Sequence, residues 1–70
     1  MTSIRAPITG RVWKIERRPG DRVSDGETVI ILESMKMEVP IESPAAGVIA
    51  SVEVSEGEAV EEGAVVATLE

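Results

Sequence analysis

The sequence predicts an all-β fold, and composition supplies the first evidence for it. Valine and isoleucine provide most of the apolar residues, whereas leucine occurs only twice and Trp13 is the sole aromatic residue. β-Branched side chains suit a pleated sheet better than a helix. Six glycines and four prolines interrupt the chain at short intervals, which favours brief strands joined by tight turns. Because no window keeps a helical period, we expect residues 1–70 to form one β-domain.

An internal repeat is the second observation behind this fold class. Residues 5–33 align with residues 42–70 without a gap when they are shifted by 37 positions. Neither half could bury an apolar face alone, so we expect two similar halves to pack into one core with quasi-twofold symmetry. The matched pairs include Pro7 with Pro44, Gly10 with Gly47, Gly20 with Gly57, Val23 with Val60, Gly26 with Gly63, Val29 with Val66, and Leu32 with Leu69.

The repeat predicts the same order of elements in each half. A strand leads to a turn at Pro19-Gly20 or Glu56-Gly57, a short strand follows, and a second turn at Asp25-Gly26 or Glu62-Gly63 precedes the last strand. Glycine suits such turns because it adopts positive φ without a steric cost. Trp13, in the first of these strands, is expected to bury its ring on the sheet or to cover an open barrel edge, and contact with a partner is the alternative.

The segment from residue 34 to residue 41 has no partner in the repeat and lies between its halves. Residues 29–32 before it and 39–41 after it are typical of strands, so we predict a hairpin with Met35 and Lys36 at its tip. Neither residue is favoured in a two-residue hairpin turn, where Asn-Gly or Asp-Gly is usual. A turn that departs from local preference is a candidate functional site.

The residues around Lys36 form a recognisable motif. Met35 and Met37 flank Lys36 and are the only methionines besides Met1. The run Glu33-Ser34-Met35-Lys36-Met37-Glu38 resembles the biotin-acceptor motif of biotin carboxyl carrier domains, whose usual core is Ala/Ser-Met-Lys-Met. The chain thus resembles the biotinyl/lipoyl attachment family.

This resemblance covers nearly the whole chain, from Ala6 to Glu70. The family pattern also places glycines upstream and downstream of the lysine, and Gly20 and Gly47 match those positions. Only residues 17–21 separate the second and third strands, so the protruding thumb of bacterial acetyl-CoA carboxylase carriers is absent. The chain is therefore most similar to the small thumbless biotin/lipoyl attachment proteins, and we expect a stand-alone subunit.

The resemblance implies a fold and a function. The fold would be a flattened β-barrel of two four-stranded antiparallel sheets, related by a quasi-twofold axis, with the modified lysine on a hairpin. Biotin would be joined covalently to Lys36, and a biotin protein ligase would recognise Met35 and Met37. The domain would then be a biotin carboxyl carrier that shuttles a carboxyl group between biotin carboxylase and carboxyltransferase sites of a biotin-dependent carboxylase, with acyl-CoA carboxylases foremost.

Composition restricts the chemistry available to the chain itself. It contains no histidine and no cysteine, so it lacks the usual residues for acid–base and thiolate chemistry, and we expect a carrier that is not an enzyme. Its acidic residues are scattered, so no metal site is predicted. All seven basic residues lie within residues 1–36, and the net charge of −6 makes nucleic acid an improbable partner.

Absence of cysteine and of an apolar signal segment predicts a cytoplasmic protein without a membrane anchor. Two other functions remain open. A lipoyl carrier, or a protein accepting both groups, would share the fold, although its usual motif has Asp-Lys-Ala/Ser. An unmodified β-barrel interaction module would carry no adduct on Lys36 at all. The intact mass would separate these alternatives.

Overall fold

The computed structural model describes all 70 residues and contains eight β-strands and no helix, which confirms the predicted all-β class. Because it has no helix, it offers no helical segment that could cross a membrane. The strands are β1 (Thr2–Arg5), β2 (Gly10–Ile15), β3 (Arg22–Val23), β4 (Thr28–Ser34), β5 (Met37–Glu42), β6 (Gly47–Val52), β7 (Ala59–Val60) and β8 (Val65–Leu69).

The strands form two four-stranded antiparallel sheets. The internal repeat relates each strand of one sheet to a strand of the other. One sheet has the order β1-β8-β6-β3 and the other β5-β4-β2-β7. A shift of 37 residues carries β2 onto β6 and β3 onto β7, and in the same way β1 matches β5 and β4 matches β8. Most of β5 lies in the segment expected to have no partner, so that expectation was too wide: only residues 34–37 lack a counterpart. Each sheet therefore takes two strands from each half of the sequence. The predicted quasi-twofold arrangement of two sheets is confirmed.

Backbone hydrogen bonds between the halves follow the same symmetry. The amide of Gly20 donates to the carbonyl of Ile49 at 2.8 Å, and its counterpart Gly57 donates to Val12 at 2.7 Å. Both glycines have positive φ, 95° and 92°, and a Cβ there would meet nothing within 4 Å. Glycine is therefore needed at these turns for its conformation and not for space.

The core between the sheets is purely aliphatic. Its side chains come from strands of both halves, so neither half could form it alone. The one buried polar residue, Ser43, donates its hydroxyl to the carbonyl of Ala45 at 2.6 Å. The buried apolar residues are Ile4, Ala6, Val12, Val23, Val29, Ile30, Leu32, Ile41, Ile49, Val60, Val66, Ala67 and Leu69.

Trp13 is not part of this core, and the prediction that its ring is buried was wrong. Its side chain is 48% exposed. The register of β2 against β4 shifts between Val12 and Lys14, so Trp13 and Lys14 together oppose Ile31. Such a bulge interrupts the alternation from which a side chain's direction is inferred. The repeat equivalent of Trp13 is Ala50, which lies at the matching register shift of β6.

One ion pair is specific to the first half. Arg17 donates from Nε to the Glu27 carboxylate at 2.6 Å, and the Ser24 amide donates to the same carboxylate at 2.9 Å. The Ser24 backbone hydrogen bond first, and the Arg17 hydrogen bond second, hold the pKa of Glu27 below its usual value of 4.5.

The Glu27 substitution to glutamine gives a test of this interaction by pH. A carboxylate with a lowered pKa in the folded state stabilises the fold above its ordinary pKa, and that stabilisation is lost as the pH falls through the lowered value. We expect Glu27→Gln to unfold at lower urea concentration than the parent at pH 7, and the difference to shrink below pH 4.5. Glu61→Gln, at an exposed position without a side-chain hydrogen bond, is the control. A Glu27→Gln deficit that is independent of pH would contradict the assignment.

Candidate functional site

The hairpin formed by β4 and β5 ends in a two-residue turn at Met35 and Lys36. Ser34 opposite Met37 is the last pair of its ladder. Met35 has φ of 52° and Lys36 has φ of 64°, and no other non-glycine residue has positive φ. Two left-handed residues in a two-residue loop are the pattern of a type I′ turn. The predicted hairpin, with Met35 and Lys36 at its tip, is confirmed.

The left-handed conformation of this turn has an energetic cost. A residue with a Cβ loses roughly 1–2 kcal/mol in it, whereas Gly and Asn adopt it readily. The ladder beneath the turn holds it in place, with six paired positions between β4 and β5. Leu32 and Ile41 from these strands are buried in the core. The turn is thus fixed by the strands, although its own residues disfavour it.

The three residues of the motif are all exposed at the tip. Lys36 has no side-chain hydrogen bond, and the only ion pair of the structure joins Arg17 to Glu27. Met35 is 92% exposed and Met37 is 65% exposed, as predicted for residues of the tip. Large apolar side chains left in water next to a lysine amine are typical of a surface that another protein recognises.

Two carboxylates lie beside the tip. Glu33 and Glu38 are directly opposite each other on the hairpin and both are exposed, and Arg11 of β2 opposes Glu33 on its other side. No histidine or cysteine is present, and no group of three or more acidic side chains is arranged so that it could hold a metal ion. The ionisable side chains of the tip and its flanks are therefore the Lys36 amine and the carboxylates of Glu33 and Glu38.

A glycine that the motif did not indicate lies under the base of the hairpin. A Cβ on Gly10 would lie 2.9 Å from the carbonyl oxygen of Glu33, so only glycine lets β2 approach this closely. Its repeat equivalent, Gly47, has the same relation to the Glu70 carbonyl oxygen, at 3.2 Å. Gly47 and Gly20, which the family pattern singled out, do not lie at the tip. The sequence signal that could have indicated Gly10 was its alignment with Gly47 in the internal repeat.

A shallow cleft of about 410 Å³ lies elsewhere on the molecule. It contains repeat-equivalent residues from both halves, such as Ile15 with Val52 and Pro19 with Glu56, so it lies on the quasi-twofold axis. None of the tip residues lines it. Its lining is Ile15, Arg18, Pro19, Val52, Val54, Ser55 and Glu56.

Comparisons of sequence identify the family to which the chain is similar. Residues 2–69 match the family described as "Biotin-requiring enzyme". The chain is 39% identical over 67 residues to the biotin/lipoyl attachment protein of Bacillus subtilis, covering 96% of this chain and 92% of that protein. It is 34% identical over 61 residues to the biotin carboxyl carrier protein of acetyl-CoA carboxylase from Solanum lycopersicum, covering 87% of each.

Solved structures agree on the fold. The urea carboxylase of Kluyveromyces lactis contains a region that matches 97% of this chain with a TM-score of 0.93 and 34% identity, although this is 6% of that enzyme. The lipoyl domain of the 2-oxoglutarate dehydrogenase complex from Azotobacter vinelandii matches the whole chain and 96% of its own length, with a TM-score of 0.80 and 28% identity. The barrel-sandwich fold is thus shared with a lipoyl domain and with a region of a urea carboxylase.

Replacing the tip with Asn-Gly tests the cost of the left-handed turn. We expect the double substitution Met35→Asn/Lys36→Gly to raise the free energy of unfolding by about 1–2 kcal/mol, because both new residues adopt this conformation readily. Urea denaturation measures the change. Met35→Gln keeps a side chain of similar length without that preference and should stay within about 0.5 kcal/mol of the parent. A double variant less stable than the parent would show that the turn is not strained.

Proposed function

Because the chain belongs to the biotin/lipoyl attachment family, we propose that Lys36 is the residue to which biotin is covalently joined. The observation that carries this proposal is the exposed Met35-Lys36-Met37 turn, which presents an amine without an ion pair between two methionines in water. Lys14, the other lysine, lies within the β2 ladder opposite Ile31. Only Lys36 stands at a tip that an active site could enclose.

The attachment reaction needs little from the carrier itself. The Lys36 amine attacks the mixed anhydride of biotinyl-adenylate, an amide bond forms at Nζ, the anhydride bond to AMP breaks, and the amine loses a proton. A lysine amine is ordinarily protonated at neutral pH, so it must be deprotonated first. Glu33 and Glu38 lie on the hairpin strands beside the tip, but neither forms an ion pair with Lys36. We assign the base to a biotin protein ligase that recognises Met35 and Met37.

The chain acts afterwards as a tether. Biotin bound at Lys36 would supply a ureido nitrogen that accepts a carboxyl group. Six paired positions hold the hairpin beneath the turn, and Lys36 forms no ion pair, so the carrier would raise the local concentration of the group at two successive sites. Those sites belong to a biotin carboxylase and a carboxyltransferase. An acyl-CoA carboxylase is our leading candidate for the complete enzyme, with the carrier in the cytoplasm.

A lipoyl carrier is the second candidate function. The likeness to the Azotobacter vinelandii lipoyl domain over the full chain favours it as far as the fold is concerned. Met35 and Met37 favour biotin, because the usual lipoyl motif has Asp before the lysine and Ala or Ser after it. The mass of the adduct on Lys36 distinguishes the two groups, and an unmodified interaction module would have none.

The attachment site is tested by changing each lysine in turn. Coexpression with a biotin protein ligase should add one biotin, and peptide mapping should find it on Lys36. Lys36→Arg should abolish labelling, because the guanidinium stays protonated and is a poor nucleophile. Lys14→Arg is the matched control and should be labelled like the parent. Biotin on Lys14 with Lys36 unmodified would overturn the assignment.

The role of the methionines is tested by moving the tip toward the lipoyl pattern. We expect Met35→Asp to slow biotin transfer by about tenfold or more, as for a contact residue of an interface. Its stability should change by no more than about 0.5 kcal/mol, because the side chain lies in water. Ala46→Asp is the control, since Ala46 is exposed before β6 and lies outside the β4–β5 hairpin. A collapse of stability in Met35→Asp alone would show that Met35 supports the fold.

Carrier activity is tested by reconstitution of the two half-reactions. The biotinylated chain should accept a carboxyl group only with a biotin carboxylase, MgATP and bicarbonate, and should release it to an acceptor only with a carboxyltransferase. The unmodified chain and Lys36→Arg should support neither half-reaction above background, because they lack the covalent arm. Turnover by Lys36→Arg at the rate of the biotinylated chain would defeat the carrier function.

A further inference from the structure

The sulfur atoms of the protein are confined to two exposed places. The chain contains three methionines and no cysteine. Met1 lies at the N-terminus and is 91% exposed, whereas Met35 and Met37 flank Lys36 and are 92% and 65% exposed. The buried apolar core consists of isoleucine, valine, leucine and alanine side chains and contains no methionine. Every thioether of the molecule is therefore open to reagents dissolved in water.

An exposed thioether undergoes a reversible oxidation. Its sulfur lone pair attacks one oxygen of hydrogen peroxide, an S–O bond forms, the O–O bond breaks, and the other oxygen leaves as water after a proton transfer. Sulfur loses two electrons, and the peroxide gains them. The product is methionine sulfoxide, which is polar and chiral at sulfur. Methionine sulfoxide reductases reverse the step, because two electrons from a dithiol reduce the sulfur and its oxygen leaves as water.

Oxidation at these positions is compatible with an intact fold. A sulfoxide disrupts a protein when it brings a polar group into an apolar core, and this core contains no sulfur. The hairpin beneath the turn is held by six paired positions and by the buried side chains of Leu32 and Ile41. The Met35 and Met37 side chains lie in water at its end. Their oxidation therefore changes the surface around Lys36 and leaves the barrel as it is.

Folding does not account for methionine at the first position of the turn. Met35 has φ of 52°, a conformation that Gly and Asn adopt more readily, and its side chain makes no use of the core. Two exposed thioethers next to one amine instead provide apolar contact area for another molecule. The same two atoms are the ones that peroxide reaches.

An enzyme that reacts with Lys36 Nζ must accommodate the side chains on both sides of it. Met35 precedes the lysine in the turn, and Met37 is the first residue of β5 and pairs with Ser34. A thioether is favourably buried in an apolar contact, whereas a sulfoxide oxygen buried without a hydrogen-bond donor costs free energy. Oxidation thus opposes formation of the complex in which Lys36 is modified, although the amine itself is unchanged.

We propose that Met35 and Met37 form a reversible oxidation site that controls the attachment of biotin. Peroxide converts the two thioethers to sulfoxides, the sulfoxides impede transfer of biotin to Lys36, and a sulfoxide reductase restores the acceptor. The inference rests on the proposed attachment at Lys36 and adds a control of that step. It assigns to the two methionines a chemical role beyond contact with the ligase.

Peptide mapping of the peroxide-treated chain tests the modification itself. We expect one oxygen atom to be added to Met35 at a rate within about twofold of that for Met1, because oxidation follows exposure and their exposed fractions are nearly equal. Met37 should react more slowly. The urea midpoint of the oxidised chain should equal that of the untreated chain. Protection of Met35 or a fall of the midpoint would contradict an exposed site that is independent of the fold.

The effect on Lys36 is measured as the kcat/KM of a biotin protein ligase, after catalase has removed the peroxide. Oxidation should lower kcat/KM by about tenfold or more, mainly through KM, because contacts of the complex are lost. Treatment with the reductases for both sulfoxide epimers should restore it. Met35→Gln/Met37→Gln, which is polar without oxidation, should be labelled as slowly as the oxidised chain.

Met35→Leu/Met37→Leu is the matched control for oxidation elsewhere. It keeps apolar side chains of similar volume beside Lys36 and retains Met1 and Trp13. Peroxide should leave its labelling rate within about twofold of the rate before treatment, because no thioether remains at the tip.

Three results would overturn the oxidation site. They are equal labelling of the oxidised and untreated chains, a loss that the reductases do not reverse, and an equal loss in Met35→Leu/Met37→Leu, which would assign the effect to residues outside the tip. The reductase experiment uses the parent chain alone and decides the question even where the leucine variant is a poor acceptor. Failure of the proposed attachment appears differently, as an untreated chain without biotin on Lys36.

Discussion

Backbone pairing between the two halves of the chain is the constraint on which the rest of the structure depends. β7 of the second half completes the sheet of β2 and β4, and β3 of the first half completes the sheet of β6 and β8. The amides of Gly20 and Gly57 add hydrogen bonds between the halves, because each donates to a carbonyl of the opposite half. With only aliphatic side chains in its core, a domain of this size depends on both halves being present. Folding is therefore expected to be one cooperative step for the two halves.

The hairpin of β4 and β5 has a special place in this arrangement, because it is the covalent link between the halves. The repeat relates it to the pair of β8 and β1, which are the last and first strands and have no turn between them. The turn at Met35 and Lys36 is thus the element for which the symmetry has no counterpart. Below it, Gly10 lets β2 approach the backbone of Glu33 closely. The proposed attachment site thus lies at the one turn that the symmetry of the fold does not repeat.

Much of this organisation could be predicted from the sequence because it depends on local conformation and on the repeat. The glycine turns follow from positive φ, and the hairpin follows from two strand-like runs around Met35 and Lys36. The exposure of Trp13 could not be predicted, because the bulge that causes it arises from the register of two strands. The role of Gly10 depends likewise on a carbonyl oxygen that the fold brings to 2.9 Å. The backbone conformation of the turns follows from local residue preferences. The register of β2 against β4 and the approach of Gly10 to Glu33 depend on the assembled sheet.

The central claim is that the barrel presents Lys36 to its modifying enzyme by holding a turn that its own residues disfavour. The most direct measurement compares the rate at which a biotin protein ligase labels the folded chain with its rate on a peptide of residues 28–42, which contains the same motif and both hairpin strands. An isolated hairpin is marginally stable in water, and a turn populated at about 1% would reduce labelling about a hundredfold. The account predicts a deficit of that order for the peptide. Equal labelling of peptide and folded chain would show that the motif alone is sufficient and would contradict it.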